Sequence, residues 1–133
     1  QPEGTAPGHD GEPALGEISW HELITHDLDE AWAFYSQIFS WTEAERVDLG
    51  PEVGTYLMFA GAGRLLGGMM ATPPGSKAAW LYYIHVDGVE TALGRVRAAG
   101  GTVLNGPMEV PGGDWVAQCL DAQGAPFALH ARG

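Results

Sequence analysis

The residues best able to act as nucleophile, base or metal ligand in this sequence are a single cysteine and five histidines. Cys119 lies in the apolar run Trp115–Leu120, where no neighbouring cation in the sequence would lower its pKa, so we expect a buried structural thiol. Because one cysteine cannot form an internal disulfide, the composition favours a reducing compartment, and we expect a cytoplasmic protein.

Short motifs that would specify a reaction are missing from the sequence. It has no Cys-x-x-Cys pair, no phosphate-binding glycine loop after a strand and no serine in a nucleophile elbow, which disfavours structural zinc, dinucleotide binding and serine hydrolysis. The formal net charge of -11 would repel phosphate backbones and anionic lipid, so we expect neither nucleic acid nor a membrane as a partner. A cationic or a neutral apolar small molecule is compatible with this charge.

The elements that must position the reactive side chains follow the same order twice. Residues 18–25 and 80–86 predict two strands, and each is followed by a helix whose opening aspartate, Asp27 or Asp87, can cap it. Three strand-like runs follow each helix, near 42–48, 55–60 and 64–71 in the first half and near 102–104, 115–120 and 126–131 in the second. This order predicts an α+β fold made of two βαβββ modules.

The alignment of the two modules leaves the strand register open by one residue. An offset of 61 residues aligns Leu28 with Val89, whereas the two capping aspartates align at 60. A slip of one residue turns every side chain of a strand to the opposite face of the sheet. We expect residues 1–16 to form a flexible leader or linker, and residues 17–133 to form one domain with halves at about 17–75 and 76–133.

Three stretches of the sequence resemble one known family, the glyoxalase/bleomycin-resistance/dioxygenase (vicinal oxygen chelate) superfamily. ISWHELITHDLDEAWAFYSQIFSW resembles the opening of its module, YYIHVDGVETALGRVRAAGG is similar to its second strand and helix, and DAQGAPFALHARG resembles its terminal hairpin. The resemblance implies a cup-shaped mixed sheet with the helices on the outside. It does not identify a reaction, because the superfamily includes lyases, isomerases, dioxygenases, thiol transferases and binding proteins.

In metal-using members of this superfamily, the first and last strands of each module supply the ligands of a divalent ion. The resemblance places these four positions at Trp20, Gly67, Leu81 and Ala128, whose side chains cannot ligate such an ion. It therefore implies a member without the usual metal, and we expect no cofactor. A slip of one residue would bring forward only His21 as a ligand.

A displaced site is the alternative, because residues two further along each strand point the same way. These residues are Glu22, Met69, Tyr83 and His130. We expect Glu22, Tyr83 and His130 to lie within hydrogen-bond reach of one another in the cup. A carboxylate, a phenol and an imidazole there could transfer protons, orient a polar group of a ligand, or form a satisfied polar cluster.

The walls of the predicted cup are apolar. Large aromatic side chains beside a few polar groups are typical of a small-molecule pocket, although each could equally pack in the core or at a dimer interface. The residues that we expect to contact a ligand are Trp20, Glu22, Met69, Leu81, Tyr83, Trp115 and His130. Of the other histidines, we expect His21 on the helix side, His26 in solvent and His85 near the end of its strand.

Three functions remain open at this point. The first is a metal-independent, homodimeric protein that binds a small apolar or aromatic molecule in the cup, similar to the bleomycin-resistance branch that sequesters antibiotics. The second is an enzyme of the lyase, isomerase or dioxygenase type, which uses either a displaced metal site or acid–base chemistry of Glu22, Tyr83 and His130. The third is an assembly domain cut from a longer parent with tandem modules.

Overall fold

The structure is a computed structural model that describes residues 11–72 and 77–133. These residues form two helices and eight strands in the predicted order, and the two βαβββ modules are thereby confirmed. The first module consists of β1 (Ile18–Thr25), α1 (Leu28–Phe39), β2 (Thr42–Asp48), β3 (Thr55–Gly61) and β4 (Arg64–Ala71). The second consists of β5 (Ala79–His85), α2 (Val89–Ala98), β6 (Thr102–Glu109), β7 (Trp115–Leu120) and β8 (Pro126–Ala131).

The eight strands of the described residues form one sheet in the order β2-β3-β4-β1-β5-β8-β7-β6. Strands β1 and β5 lie antiparallel at its centre, and each is parallel to the last strand of its own module. The two modules therefore join edge to edge within a single chain. Because β1 and β5 are central, the side chains that they direct to one face meet at the junction between the modules.

The helices cover one face of the sheet with two apolar clusters. Leu23, Leu57, Phe59 and Met69 are buried under α1. Val89 and Leu93 of α2 pack on four buried residues of β7 and β8, which are Ala117, Cys119, Leu129 and Ala131. Cys119 is fully buried in this cluster, which confirms the predicted buried thiol, and the burial raises the pKa of that thiol.

The two helices begin differently. Asp27 caps α1 and accepts a hydrogen bond of 3.0 Å from the backbone N–H of Glu30, as predicted. The predicted cap of α2 at Asp87 is wrong, because Gly88 occupies its N-cap and has no side chain to accept such a bond. The two N-cap residues are thus 61 positions apart, in agreement with the offset of the apolar stripes.

Strand β6 is longer than the sequence predicts, since it continues to Glu109 past Gly106 and Pro107. Proline lacks a backbone donor and usually interrupts a strand, but β6 is an edge strand, where one side needs no hydrogen bonds.

Residues 11–16, the last part of the expected leader or linker, contact the domain. The carbonyl oxygen of Pro13 lies 3.0 Å from His85 Nδ1, and the backbone N–H of Gly16 donates to the carbonyl of His85. Arg132 also pairs with Glu12 at 3.0 Å. Residues 1–10 of the expected leader lie outside the described residues. No helix within residues 11–72 and 77–133 is both long and apolar enough to cross a membrane.

Candidate functional site

The face of the sheet opposite the helices, called here the cup face, carries a buried apolar cluster at the junction of the two modules. Leu81, Tyr83, Val116 and Ala128 are buried there, and Trp20 packs against them. Trp20, Leu81 and Tyr83 therefore lie on the face where we expected ligand contacts.

Glu22 lies on the cup face beside this cluster, and only 7% of its surface is exposed. The Tyr56 hydroxyl donates to Oε2 at 2.9 Å, and the Tyr83 hydroxyl donates to Oε1 at 3.0 Å. Tyr56 comes from β3 of the first module and Tyr83 from β5 of the second, so the carboxylate is held from both modules. The predicted contact between Glu22 and Tyr83 is thus confirmed.

The two tyrosines are oriented in turn by further donors. Trp20 Nε1 donates to the Tyr56 hydroxyl at 2.8 Å, and Gln118 Nε2 donates to the Tyr83 hydroxyl at 3.1 Å. Gln118 accepts from Asn105 Nδ2 at 3.1 Å. Since each phenol oxygen already accepts one hydrogen bond, each phenol proton is directed at Glu22.

The electrostatics of this network keep the phenols protonated. Burial and the nearby negative charge of Glu22 raise the pKa of Tyr56 and of Tyr83 far above the usual range for tyrosine. Burial also raises the pKa of Glu22, while the hydrogen bonds from Tyr56 and Tyr83 lower it. A carboxylate has about four acceptor sites. Glu22 can therefore accept a further hydrogen bond or a positive charge from a bound molecule.

His130 does not join this network, and the prediction that it does is wrong. The parallel pairing of β5 and β8 places Ala128 beside Tyr83 and places His130 beside His85, one layer farther along the strands. The rings of His85 and His130 lie 5.6 Å apart. His130 instead contacts Ser19 at 2.9 Å and Asp114 at 2.7 Å.

Two other predicted cup residues face the helices. Met69 is fully buried under α1. Glu22 pairs with Gly68 as Tyr83 pairs with Ala128, so β4 matches β8 at an offset of 60 residues rather than 61. This difference of one residue turns Met69 to the helix side. Met70, which pairs with Tyr56, takes the expected place on the cup face.

Trp115 also lies on the helix side. It alternates along β7 with Val116, a residue of the cup cluster, and is 40% exposed beside the start of α2. The expected positions of Met69 and Trp115 in the cup are therefore wrong.

The residues on the cup face do not fit the metal site of the superfamily. With the corrected register, the four equivalent positions are Trp20, Gly68, Leu81 and Ala128, none of which can ligate a divalent ion through its side chain. Among the residues that the structure describes, no three His, Cys, Asp or Glu side chains cluster in a manner suited to a metal.

A second concave feature lies on the helix side, between α1 and the central strands. This groove has a volume of about 450 Å³, and its lining is mostly aromatic: His21, Tyr35, Phe39, Trp41, Phe59, Leu66, Trp80 and Tyr82. It places His21 on the helix side, as predicted. His26, also as predicted, is exposed.

Sequence reasoning missed Tyr56, Gln118, Ser19 and Asp114. Tyr56 and Gln118 lie on strands whose predicted bounds were close to correct. Because side chains alternate between the two faces of a strand, one residue known to face the cup on each strand would have identified them. Ser19 and Asp114 meet His130 only through the tertiary fold, and no local motif marks them.

Comparison with known proteins places the chain among relatives of one superfamily. The model of the Glyoxalase/Bleomycin resistance protein/Dioxygenase superfamily matches residues 17–129. The anthracycline biosynthesis protein DnrV of Streptomyces peucetius is 31% identical over 90% of this chain and 48% of its own length. The putative glyoxylase CFP32 of Mycobacterium tuberculosis is 30% identical over 86% of this chain and 43% of its own length.

A solved structure of methylmalonyl-CoA epimerase has the same fold. It superposes with a TM-score of 0.65 at 22% identity and covers 90% of this chain and 98% of that one. The chain spans about half the length of the curated relatives it matches.

Proposed function

Because the chain belongs to the glyoxalase/bleomycin resistance protein/dioxygenase superfamily, we propose that it binds a small aromatic or apolar molecule in its cup without a metal ion. The observation behind this proposal is the carboxylate of Glu22, held by Tyr56 and Tyr83 beside an apolar cluster. Apolar walls with a few fixed polar groups are the usual composition of a small-molecule site.

The chemistry of the cup favours a ligand with a donor or a positive charge at one end. An apolar or aromatic body would pack on Trp20, Leu81 and Met70, and its polar end would reach Glu22. Moving the carboxylate out of water costs free energy, which a ligand cation or N–H donor would offset. The formal net charge of -11 attracts a cation over a longer range.

Metal independence is supported by the residues at the four equivalent positions. Trp20, Gly68, Leu81 and Ala128 offer no ligating side chain, and one carboxylate, that of Glu22, does not make the set of several ligands that a divalent ion needs.

Acid–base catalysis at Glu22 is the second candidate function. Burial raises the pKa of this carboxyl above its ordinary value, and a raised pKa is typical of carboxyl groups that act as general acid or base. Without His130 in the network, such an enzyme would use Glu22 together with the Tyr83 phenol, as in a proton transfer on a bound molecule.

We also propose that a second copy of this chain covers the aromatic groove on the helix side. Phe39 and Tyr82 line the groove and are about half exposed, although aromatic side chains gain most from burial. The relatives are about twice as long as the matched region, so in them this domain shares its chain with a further segment of similar size.

The binding proposal is tested with two matched probes, 1-naphthylmethylamine and its neutral counterpart 1-naphthalenemethanol. Tryptophan fluorescence reports binding, and comparison with Trp20→Phe separates the signal of the cup from that of the other four tryptophans. We expect the amine to bind more tightly, and Glu22→Gln to weaken its binding by roughly tenfold or more, as expected for loss of a hydrogen bond to a charged group. Glu52→Gln, which removes the same charge from an exposed turn, is the control and leaves the affinity unchanged.

Two results would contradict the binding proposal. Equal affinity of Glu22→Gln and the parent protein for the amine would exclude Glu22 as the acceptor. A rise in melting temperature of several degrees with one of manganese, nickel, zinc or iron(II) would contradict metal independence. Turnover of a bound compound, lost in Glu22→Gln, would favour the enzyme.

A further inference from the structure

Ser19, His130 and Asp114 form a hydrogen-bonded chain next to the cup. The Ser19 hydroxyl lies 2.9 Å from His130 Nδ1, and His130 Nε2 lies 2.7 Å from Asp114 Oδ2. These residues come from β1, from β8 and from the turn before β7, and they are separate from the network around Glu22. The side chains of His130 and Asp114 are 19% and 39% exposed, so solvent reaches these hydrogen-bonded side chains.

The direction of the hydrogen bonds follows from Asp114. An ionised carboxylate only accepts hydrogen bonds, and the hydrogen bond from His130 holds the pKa of Asp114 below its ordinary value. The backbone N–H of Gly133 also donates to this carboxylate, at 3.2 Å. In the neutral imidazole, His130 Nε2 therefore carries the proton and Nδ1 accepts. The Ser19 hydroxyl has one proton, which it donates to Nδ1 at 2.9 Å rather than to the Tyr83 carbonyl at 3.4 Å, as in a serine that is activated by a neighbouring base.

A β-bulge directs Ser19 toward His130. Ile18 pairs with Ile84 and Trp20 pairs with Tyr83, so Ser19 is an extra residue in β1. Bulges reorient a side chain that strict alternation would turn away, and they are frequent next to active sites. The Ser19 hydroxyl also lies 3.4 Å from the carbonyl oxygen of Tyr83, which places it at the edge of the cup cluster.

We propose that Ser19 is a nucleophile for acyl transfer, with His130 as its base and Asp114 as the residue that positions His130. The substrate class is a small ester whose apolar part enters the cup. Ser19 Oγ would bond to the acyl carbon while its proton moves to His130 Nδ1. The bond from the acyl carbon to the alcohol oxygen would then break, and the alcohol would leave with the proton from His130. Water would hydrolyse the acyl-serine by the same steps and regenerate the hydroxyl.

The fold thus brings Ser19, His130 and Asp114 together, although no local sequence motif marks them. A nucleophile elbow is a local signature of other folds, whereas the arrangement of serine, histidine and aspartate recurs on unrelated folds and is recognised by geometry. This proposal rests on the apolar cup of the proposed function but not on the carboxylate of Glu22. Loss of amine binding in Glu22→Gln and loss of acetylation in Ser19→Ala are therefore separate outcomes.

The test is acetylation of the full chain by 4-nitrophenyl acetate, followed by release of 4-nitrophenolate and by peptide mass mapping. We expect an acetyl group on Ser19 and a burst of 4-nitrophenolate that Ser19→Ala abolishes. Ser36→Ala, a partly buried serine on α1, is the matched control and retains the burst. Asp114→Asn lets the amide donate to Nε2, so Nδ1 keeps the proton and no longer accepts from Ser19. We expect this variant to lose at least about a hundredfold in rate, within the range for general-base catalysis.

If His130 had only a structural role, an added base would not restore the burst of 4-nitrophenolate to a variant that lacks it. We expect His130→Ala to lose the burst and to regain part of it in the presence of free imidazole. Acetylation confined to Lys77 or to the histidines of the native chain would overturn the proposal, and so would equal acetylation of Ser19 in the parent protein and in Asp114→Asn. Because the acetylated position is mapped on the native chain, poor folding of a variant does not prevent a decision.

Discussion

At the scale of single residues, Glu22 is the group whose environment most constrains what this protein can do. Its two oxygens accept from Tyr56 and Tyr83, and those phenols are oriented by Trp20 and Gln118. Removing one partner of such a network leaves a buried donor unsatisfied, which costs more than the hydrogen bond itself contributes. The carboxylate is therefore held in one position, with its remaining acceptor sites available on the cup face.

The ionisation of Glu22 predicts how stability depends on pH. Burial raises the pKa of Glu22 above its ordinary value of 4.5, so folding favours the protonated form. Its contribution to the free energy of unfolding is full below the unfolded-state pKa and is lost as the pH rises through the folded-state value. In the Glu22→Gln variant, the side chain at this position cannot ionise. We therefore expect the parent protein to lose stability relative to this variant as the pH rises from about 4 upward.

Urea unfolding at several pH values measures this difference. Glu52→Gln serves as the control, because its carboxylate is exposed, and it should show no such trend relative to the parent. A difference between parent and Glu22→Gln that stays constant with pH would contradict the raised pKa of Glu22.

At the scale of elements, the duplicated strands do not repeat with a constant offset. Strand β1 matches β5 at 61 residues, whereas β4 matches β8 at 60. The offset is already 60 at β2 and β3, since Thr42 pairs with Ala60 as Thr102 pairs with Leu120. The change therefore arises between the helices, whose N-caps are 61 residues apart, and the strands that follow them. A change of one residue in the offset reverses which positions face the cup. This is why Met70 rather than Met69 lies on the cup face.

Gly68 of β4 gives a test of this packing. A Cβ atom at Gly68 would overlap the ring of Tyr56, so Gly68→Ala must displace that ring from Glu22 and Trp20. We expect a loss of about 1–3 kcal/mol in unfolding free energy, typical of overpacking, with a change in tryptophan fluorescence. Gly94→Ala on α2 is the matched control, because its Cβ atom would meet nothing within 4 Å. Alanine there should stabilise the helix by about 0.5–1 kcal/mol. Equal stability of Gly68→Ala and the parent would refute this role of the glycine.

At the scale of the whole molecule, the two faces of the sheet serve different purposes. The cup face joins the modules through polar contacts of Glu22, Tyr56 and Tyr83, whereas the groove beside α1 presents aromatic surface to the exterior. A stable interface needs an apolar centre of this kind, in which aromatic residues contribute most of the binding energy. A second copy of the chain is the occupant that we propose.

The proposed dimer is tested at Phe39, which lines the groove and is 54% exposed. We expect Phe39→Glu to convert a dimer into a monomer in sedimentation experiments, because it places a charge in the apolar centre of the interface. Phe34→Glu is the matched control: Phe34 is equally exposed on the same helix at 53% but does not line the groove. A parent protein that sediments as a monomer at high concentration, or an equal effect of both variants, would contradict this interface.

The sequence by itself determined the order of elements, the cap of α1, the buried Cys119 and the family. These features depend on periodicity and on residues close together in the chain, which propensity and capping chemistry fix locally. It also brought Glu22 and Tyr83 together, since both lie on the central strands, where the offset of 61 holds.

Only the tertiary structure decided which strand faces were reversed and which distant side chains meet. A change of the offset from 61 to 60 ahead of β2 placed Met69 on the helix side, and the parallel pairing of β8 placed His130 one layer past Tyr83. A bulge in β1 then turned Ser19 toward His130. Register is set by contacts between strands rather than along them, and so a local pattern cannot specify it to within one residue.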